Sequence, residues 1–254
     1  MRILVTNDDG IAAPGLIAVA RSLQHLGDIT VIAPETQQSA AGHAITLHKP
    51  LRLDRLDLDS GITAYSSNGT PADCIILGVL GDLPRPDFVV SGINAGANLG
   101  EEVLYSGTVS AALEAALHDL PAIAISVCAY HDPILDVAEQ IAPAIVKSLC
   151  EAPLQPGTVL NVNIPNVPAD EITGIAVTRL GHRKYADVVV KRDDPQGRAY
   201  YWFTGTPMEI DSAPGTDIAA VQQNQISLTL VHFDLTSQQE WQGFDKLQRE
   251  LGLS

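Results

Sequence analysis

The chain is short of cysteine, of aromatic side chains and of positive charge. Cys74, Cys128 and Cys150 are its only three cysteines, an odd number in apolar surroundings, which excludes a disulfide scaffold and a thiolate metal cluster. They read as small core residues in a reducing compartment. Lys and Arg total 15 against 30 Asp and Glu, a formal net charge of −15. A surface of that sign repels a phosphate backbone, so polymeric nucleic acid is excluded as the main ligand. No run of ~18 apolar residues exists, and only Ile3, Leu4 and Val5 precede Asn7-Asp8-Asp9, so neither a membrane span nor a signal peptide is expected. The predicted location is cytoplasmic. What is present is core-forming material, with 46% hydrophobic and 18% charged residues in 254, which excludes a disordered chain.

Order along the chain follows an alternation of strands and helices. Arg2 to Thr6 is β-branched-rich, Asn7 to Gly10 is a turn, and Leu16, Val19, Ala20, Leu23 and Leu26 repeat at helical spacing after Pro14. Asp28 to Ala33 is the next strand, closed by Pro34, which makes a right-handed βαβ unit with parallel strands. The pattern returns with a strand at Asp87 to Ser91, an Ala-rich helix at Val109 to Leu120 and a strand at Ala122 to Val127. A helix at Ile134 to Cys150 and a strand at Thr158 to Asn163 follow. Alternating residues between Ala44 and Ser67 predict an antiparallel excursion beside the sheet. The expected fold is α/β, a Rossmann-like, doubly wound, mainly parallel sheet with a β-hairpin-rich C-terminal extension. One domain over residues 1–254 is expected, its core at about 1–170 and its hairpin and oligomerisation elements at about 171–254. In that extension the strands Arg198 to Thr204 and Gln225 to Val231 do not fit a parallel sheet closed by helices and need another surface to cover them. A short amphipathic helix is expected at Gln238 to Leu251.

Ligands of such sheets lie at the carboxyl ends of the strands, and three loops there are rich in oxygen donors. Asp8 and Asp9 are adjacent carboxylates that repel each other and are best tolerated beside a cation, although an N-capping Asp and a turn Asp are the competing reading. Ser39 and Asn94 add neutral oxygens on neighbouring loops, a set that suits Mg²⁺ or Mn²⁺. Tyr105 to Val109 opens the Ala-rich helix with hydroxyl residues, which fits either a phosphate site or plain capping by Ser106 or Thr108. His43 follows on the loop of Ser39 and is a candidate for an accessory role. Gly92, Gly96 and Gly100 match neither a dinucleotide fingerprint nor a P-loop, and no G-x-S-x-G elbow or zinc-type histidine spacing occurs. The basic residues gather in Arg179, Arg183, Lys184, Lys191, Arg192 and Arg198, as an anion-attracting rim or a solvated hairpin.

Taken in order, these loops resemble the SurE-type survival-protein nucleotidases. The matching segments are Ile3 to Gly10, Ala33 to Ser39, Asn68 to Asp73, Ser91 to Gly100 and Tyr105 to Val109. Asn163 to Pro165, Thr178 to Gly181 with Arg183 and Tyr185, and Gly215 to Asp217 continue the likeness. Asn224-Gln225 departs from a Gly-Tyr-like pair in the family pattern. The resemblance implies a metal-dependent phosphatase, a 5′/3′-nucleotidase, that hydrolyses nucleoside monophosphates by metal-activated water. It implies one divalent cation per subunit on Asp8, Asp9, Ser39 and Asn94, with Asp8 and Asp9 catalytic, and phosphate held by Asn98, Ser106, Gly107 and Thr108. It also implies a homodimer or homotetramer with C-terminal exchange. A nucleotide-binding module without turnover, and a phosphatase of short polyphosphate, are the alternatives.

Overall fold

In the computed structural model of the protein, residues 1–58, 61–237 and 243–251 are described. The elements run β1 (Arg2–Thr6), α1 (Pro14–Leu23), β2 (Asp28–Pro34), β3 (Leu53–Leu58), β4 (Ile62–Ser67), α2 (Pro71–Leu80), β5 (Phe88–Ala95), α3 (Gly107–Leu117) and β6 (Ala122–Val127). Then come α4 (Asp136–Glu151), β7 (Thr158–Ile164), β8 (Gly174–Thr178), β9 (Arg183–Asp193), β10 (Ala199–Ile210), α5 (Asp217–Gln222), β11 (Gln225–His232) and α6 (Phe244–Leu251). Nine strands form one sheet in the order β3-β4-β2-β1-β5-β6-β7-β11-β8, while β9 and β10 pair as a separate antiparallel hairpin. Only the β3/β4 and β7/β11 pairings of the large sheet are antiparallel.

Central strands are apolar on both faces because helices cover both. Ile3 and Val5 pack with Leu16 and Val19 of α1 and Val146 of α4. Leu4, on the opposite face, packs with Ile75 of α2 and Val109 of α3. Two crossovers therefore diverge, that from β1 through α1 to one face and that from β5 through α3 to the other, and the crevice between β1 and β5 is the switch point of the sheet. A register shift between Ser91 and Asn94 takes one extra residue into β5 just before the crevice.

The α/β expectation and the antiparallel β3/β4 excursion agree with this architecture. Three expectations are corrected. Gln225 to Val231 lies inside the large sheet, because β11 pairs antiparallel with β7 and parallel with β8; the hairpin β9/β10 is what leaves it. Of the cysteines only Cys74 is buried, while Cys150 is exposed. The helix expected from Val109 begins two residues earlier, at Gly107, which places Thr108 inside its first turn. For the helix expected at Gln238 to Leu251, residues 238–242 lie outside the described residues, and the helix spans Phe244–Leu251. The sequence pattern did not single out α2, whose run Cys74 to Leu80 has no polar stripe, although Thr70 and Asp73 close a capping box at its start. Asn224 sits at φ 56°, the left-handed conformation in which Asn is the usual substitute for Gly, which accounts for the departure at that position. Among the described residues no helix is long and apolar enough to cross a membrane.

Candidate active site

At the end of β1 the turn is made by Asn7, whose amide donates to the Gly10 carbonyl at 3.1 Å and accepts from the Gly10 N–H at 3.2 Å. The N-cap of α1 is Ala13, so neither Asp8 nor Asp9 caps that helix. Both acids turn instead into the crevice. Asp8, 4% exposed, accepts a short hydrogen bond of 2.5 Å from the Thr108 hydroxyl. Asp9 accepts from the Ala95 N–H at 3.0 Å. Burial pushes the Asp8 carboxyl up; the Thr108 hydroxyl opposes this and the Asp9 charge adds to it. Burial raises Asp9 as well, against the Ala95 hydrogen bond.

The neighbouring loops arrive on the same edge. The Gln38 N–H donates to the Asp8 carbonyl at 2.7 Å, which fixes the loop after β2, and the exposed Ser39 hydroxyl accepts from the Gln37 amide at 2.8 Å. Asn94, almost buried, donates its amide nitrogen to the Gly96 carbonyl at 2.8 Å. Among the described residues no three His, Cys, Asp or Glu side chains converge. The donor set at this edge is two carboxylates plus neutral oxygens, and two desolvated acids side by side are what a hard, partly hydrated cation relieves. The residues therefore fit a divalent cation.

The start of α3 faces the same crevice. Ser106 is its N-cap and accepts from the Val109 N–H at 3.1 Å, so the capping role expected of Ser106 or Thr108 falls to Ser106. Thr108 is wholly buried and serves Asp8 instead. Gly107 lies so close to Asp8 that a Cβ there would stand 2.7 Å from the Asp8 Cβ and 2.9 Å from Oδ2. These roles separate two variants. Ser106→Ala is expected to lower the unfolding free energy by about 1 kcal/mol. Thr108→Ala is expected to cost at least about tenfold in vanadate affinity, with titration calorimetry and thermal unfolding as the two readouts. Equal stability losses with unchanged vanadate binding would leave both residues purely structural.

Asn98 is held at four points. Its N–H donates to Asn163 Oδ1 at 2.8 Å, its amide donates to the Ser126 hydroxyl at 2.7 Å, and its carbonyl accepts from Asn161 and Asn163 at 2.9 and 3.0 Å. Asn161, Asn163 and Ser126 are completely buried, and none of them was picked out as a site residue from the sequence. Three polar residues in the interior of strands that are otherwise almost wholly apolar were the available signal. Asp217 entered the sequence reading only within the Gly215 to Asp217 likeness, not as a site residue. It is buried and accepts from the N–H groups of Gly100, Gly181 and Ile218, tying the far end of the glycine-rich loop to α5.

His43 is not brought to the carboxylates. Its Nε2 lies 2.7 Å from Glu114 on α3, whose other oxygen is 3.1 Å from His118 Nε2. The His43 hydrogen bond, ahead of the charges of both histidines, holds the Glu114 carboxyl below its ordinary value against the cost of burial. A depressed folded value stabilises the protein above the unfolded-state pKa, and that contribution disappears as pH falls through the folded value. Glu114→Gln is accordingly expected to cost about 1 kcal/mol at pH 7. Its gap from wild type should close below about pH 4 in urea unfolding. Of the basic cluster, Arg183 donates to Glu102 at 3.0 Å, while Arg179 and Arg198 pair with Asp211 and Asp194. These three arginines are thus paired at the hairpin and with the loop before α3, while Lys191 and Arg192 lie exposed on the hairpin.

The switch point of this doubly wound α/β sheet thus gathers two desolvated carboxylates, neutral oxygen donors and a capped helix start. The family described as "Survival protein SurE" matches residues 3–187. "5′-nucleotidase SurE" of Alkaliphilus metalliredigens is 49% identical over 252 residues, covering 98% of each chain. "5′-nucleotidase SurE" of Heliobacterium modesticaldum is 48% identical over 239 residues, covering 93% of this chain and 88% of that one. The crystal structure of the SurE protein from Aquifex aeolicus superposes with a TM-score of 0.80 at 37% identity, covering 99% of this chain and 100% of that one. The chain belongs to the SurE family.

Proposed function

We propose that the protein is a metal-dependent 5′-nucleotidase that hydrolyses nucleoside monophosphates to nucleoside and phosphate. The observation that carries this reading is the contact of Asp8 with the first turn of α3, which joins a cation-seeking carboxylate pair to an anion-seeking helix start. The names of the relatives support the substrate class. Asp8 and Asp9, with Ser39 and Asn94, would hold one cation per subunit, Mg²⁺ or Mn²⁺ by the hardness of the donors. When bound, that cation supplies charge screening for the phosphate and activation of water. Asn98, Gly107 and Thr108 line the side where the phosphoryl oxygens gather, and the aligned N–H groups of α3 favour the charge that builds there. Thr108 fixes the Asp8 carboxylate in one orientation, and the buried asparagines fix the loop of Asn98. The test is phosphate release from a panel of nucleoside monophosphates, with and without Mn²⁺ or Mg²⁺. Many turnovers per subunit that stop on chelation support the reading, and stoichiometric binding without release refutes it.

The protein is further proposed to work in the cytoplasm as one domain over residues 1–254 that assembles into a homodimer or homotetramer. Tyr201, Trp202 and Phe203 on β10 are exposed, Phe203 at 88%, and Leu235 beyond β11 is 79% exposed. A monomer rarely leaves so much aromatic and aliphatic surface in water. Exchange of the hairpin and of α6 between subunits would cover it. Light scattering is expected to give at least twice 27.0 kDa, and deletion of residues 237–254 to lower both that mass and the melting temperature. A stable 27.0 kDa species at micromolar concentration would refute the assembly.

A further inference from the structure

A second cavity opens beside the carboxylates, on the face of the sheet opposite α3. Its volume is about 270 Å³, and it is lined by Ala13 and Pro14 at the start of α1, Ile93 of β5, Pro133 and Leu135 before α4, and Asp9. Gln37 adds one neutral polar group. The walls are fixed by the backbone. Gly15 has room only for hydrogen, since a Cβ there would stand 2.1 Å from the Ile93 carbonyl, so α1 starts directly against β5. The loop before α4 is anchored by the Ile134 N–H, which donates to the Asn166 side chain at 2.8 Å. The cavity is therefore shaped before any ligand arrives.

Its chemistry excludes the phosphate. The lining contains no cationic side chain, and its single charge is the Asp9 carboxylate. What fits is an uncharged, largely apolar group carrying a hydrogen-bonding edge for Gln37. The volume lies just under the ~300 Å³ at which ordinary ligand pockets begin, enough for a ring system and little more. Asp9 lines both this cavity and the crevice, so the cavity adjoins the proposed phosphate site. We propose that this cavity is the nucleobase subsite, and that Ala13, Pro133 and Leu135 determine how strongly a base is preferred. This rests on the nucleotidase reading and adds to it where the base is read.

Three variants are compared on a nucleoside 5′-monophosphate and on ribose 5-phosphate, which keeps the sugar and the ester but has no base. Ala13→Phe fills the cavity from the helix and Pro133→Trp fills it from the loop; Tyr130→Ala removes an exposed ring outside it, beside Gly96. Wild type is expected to favour the nucleotide at least about tenfold in kcat/KM. Either filling variant should raise the nucleotide KM about tenfold and bring that ratio toward one, with kcat kept and ribose 5-phosphate turned over within twofold of wild type. Turnover of ribose 5-phosphate also shows that each variant is folded. Parallel losses on both substrates, no change on either, or a nucleotide-specific loss confined to Tyr130→Ala would overturn the subsite. Failure of the nucleotidase reading looks different, since wild type would then release phosphate from neither compound.

Discussion

Replacing Asp8 or Asp9 by Asn is expected to abolish metal-dependent phosphate release while leaving the fold in place. Asn has almost the same shape, and its carbonyl still accepts from Thr108 or from the Ala95 N–H, so the loop after β1 keeps its hydrogen bonds. What disappears is the negative oxygen that a hard cation requires. A fall of at least about a thousandfold in kcat/KM is anticipated, about 4 kcal/mol of transition-state stabilisation. Unfolding separates this from simple damage. Burial raises both carboxyls, so neutralising either one should leave the metal-free protein as stable as wild type or slightly more so. Added Mn²⁺ should raise the melting temperature of wild type by mass action, equivalent to about 2.7 kcal/mol at a hundred times Kd, and should not raise that of the variants. More than about a tenth of the wild-type rate at saturating metal, a loss of only ~1.4 kcal/mol, would rule out the assignment.

A single methyl group on Gly107 should be almost as damaging. In Gly107→Ala the new Cβ would stand 2.7 Å from that of Asp8, and Asp8 cannot retreat because its backbone carbonyl is bonded to Gln38 and its carboxylate to Thr108. Displacement of a reacting group by about 1 Å commonly costs around a hundredfold, and that loss of kcat/KM is expected for this variant. Helix propensity works in the opposite sense, since Ala is favoured over Gly by up to about 1 kcal/mol inside a helix. Activity lost with the melting temperature held or raised would thus isolate the contact with Asp8. A variant keeping more than about a third of the activity would show that the close approach is not needed.

The parts of this architecture visible in the sequence are those written by local chemistry. The βαβ opening could be read because Ile3, Leu4 and Val5 end at an Asn-Gly-bracketed turn and the next apolar residues recur at helical spacing. Asp8, Asp9 and Asn94 could be picked out because strand ends are where such sheets bind ligands, and Thr108 because hydroxyl residues open the Ala-rich helix. Contacts between distant segments were not legible. That Thr108 bonds to Asp8 rather than capping its own helix depends on where α3 starts, a two-residue matter that no periodicity decides. His43 shared a loop with Ser39, yet its partner proved to be Glu114, 71 residues away. The insertion of β11 between β7 and β8 was hidden because an apolar strand carries no mark of its neighbours.

The tethering of Asn98 also has a bearing on how the chain is made. Its partners Asn161 and Asn163 lie 63 and 65 residues downstream, and Gly100, two residues further on, is held by Asp217 at a separation of 117. Closing loops of that length is slow, and during synthesis at about 5–20 residues per second the first strands leave the ribosome many seconds before those side chains exist. The glycine-rich loop therefore has its acidic neighbours at hand early but its anchors only late. A chain terminated before β7 and α5 would carry Asp8, Asp9 and the glycine-rich loop without the side chains that hold that loop in place.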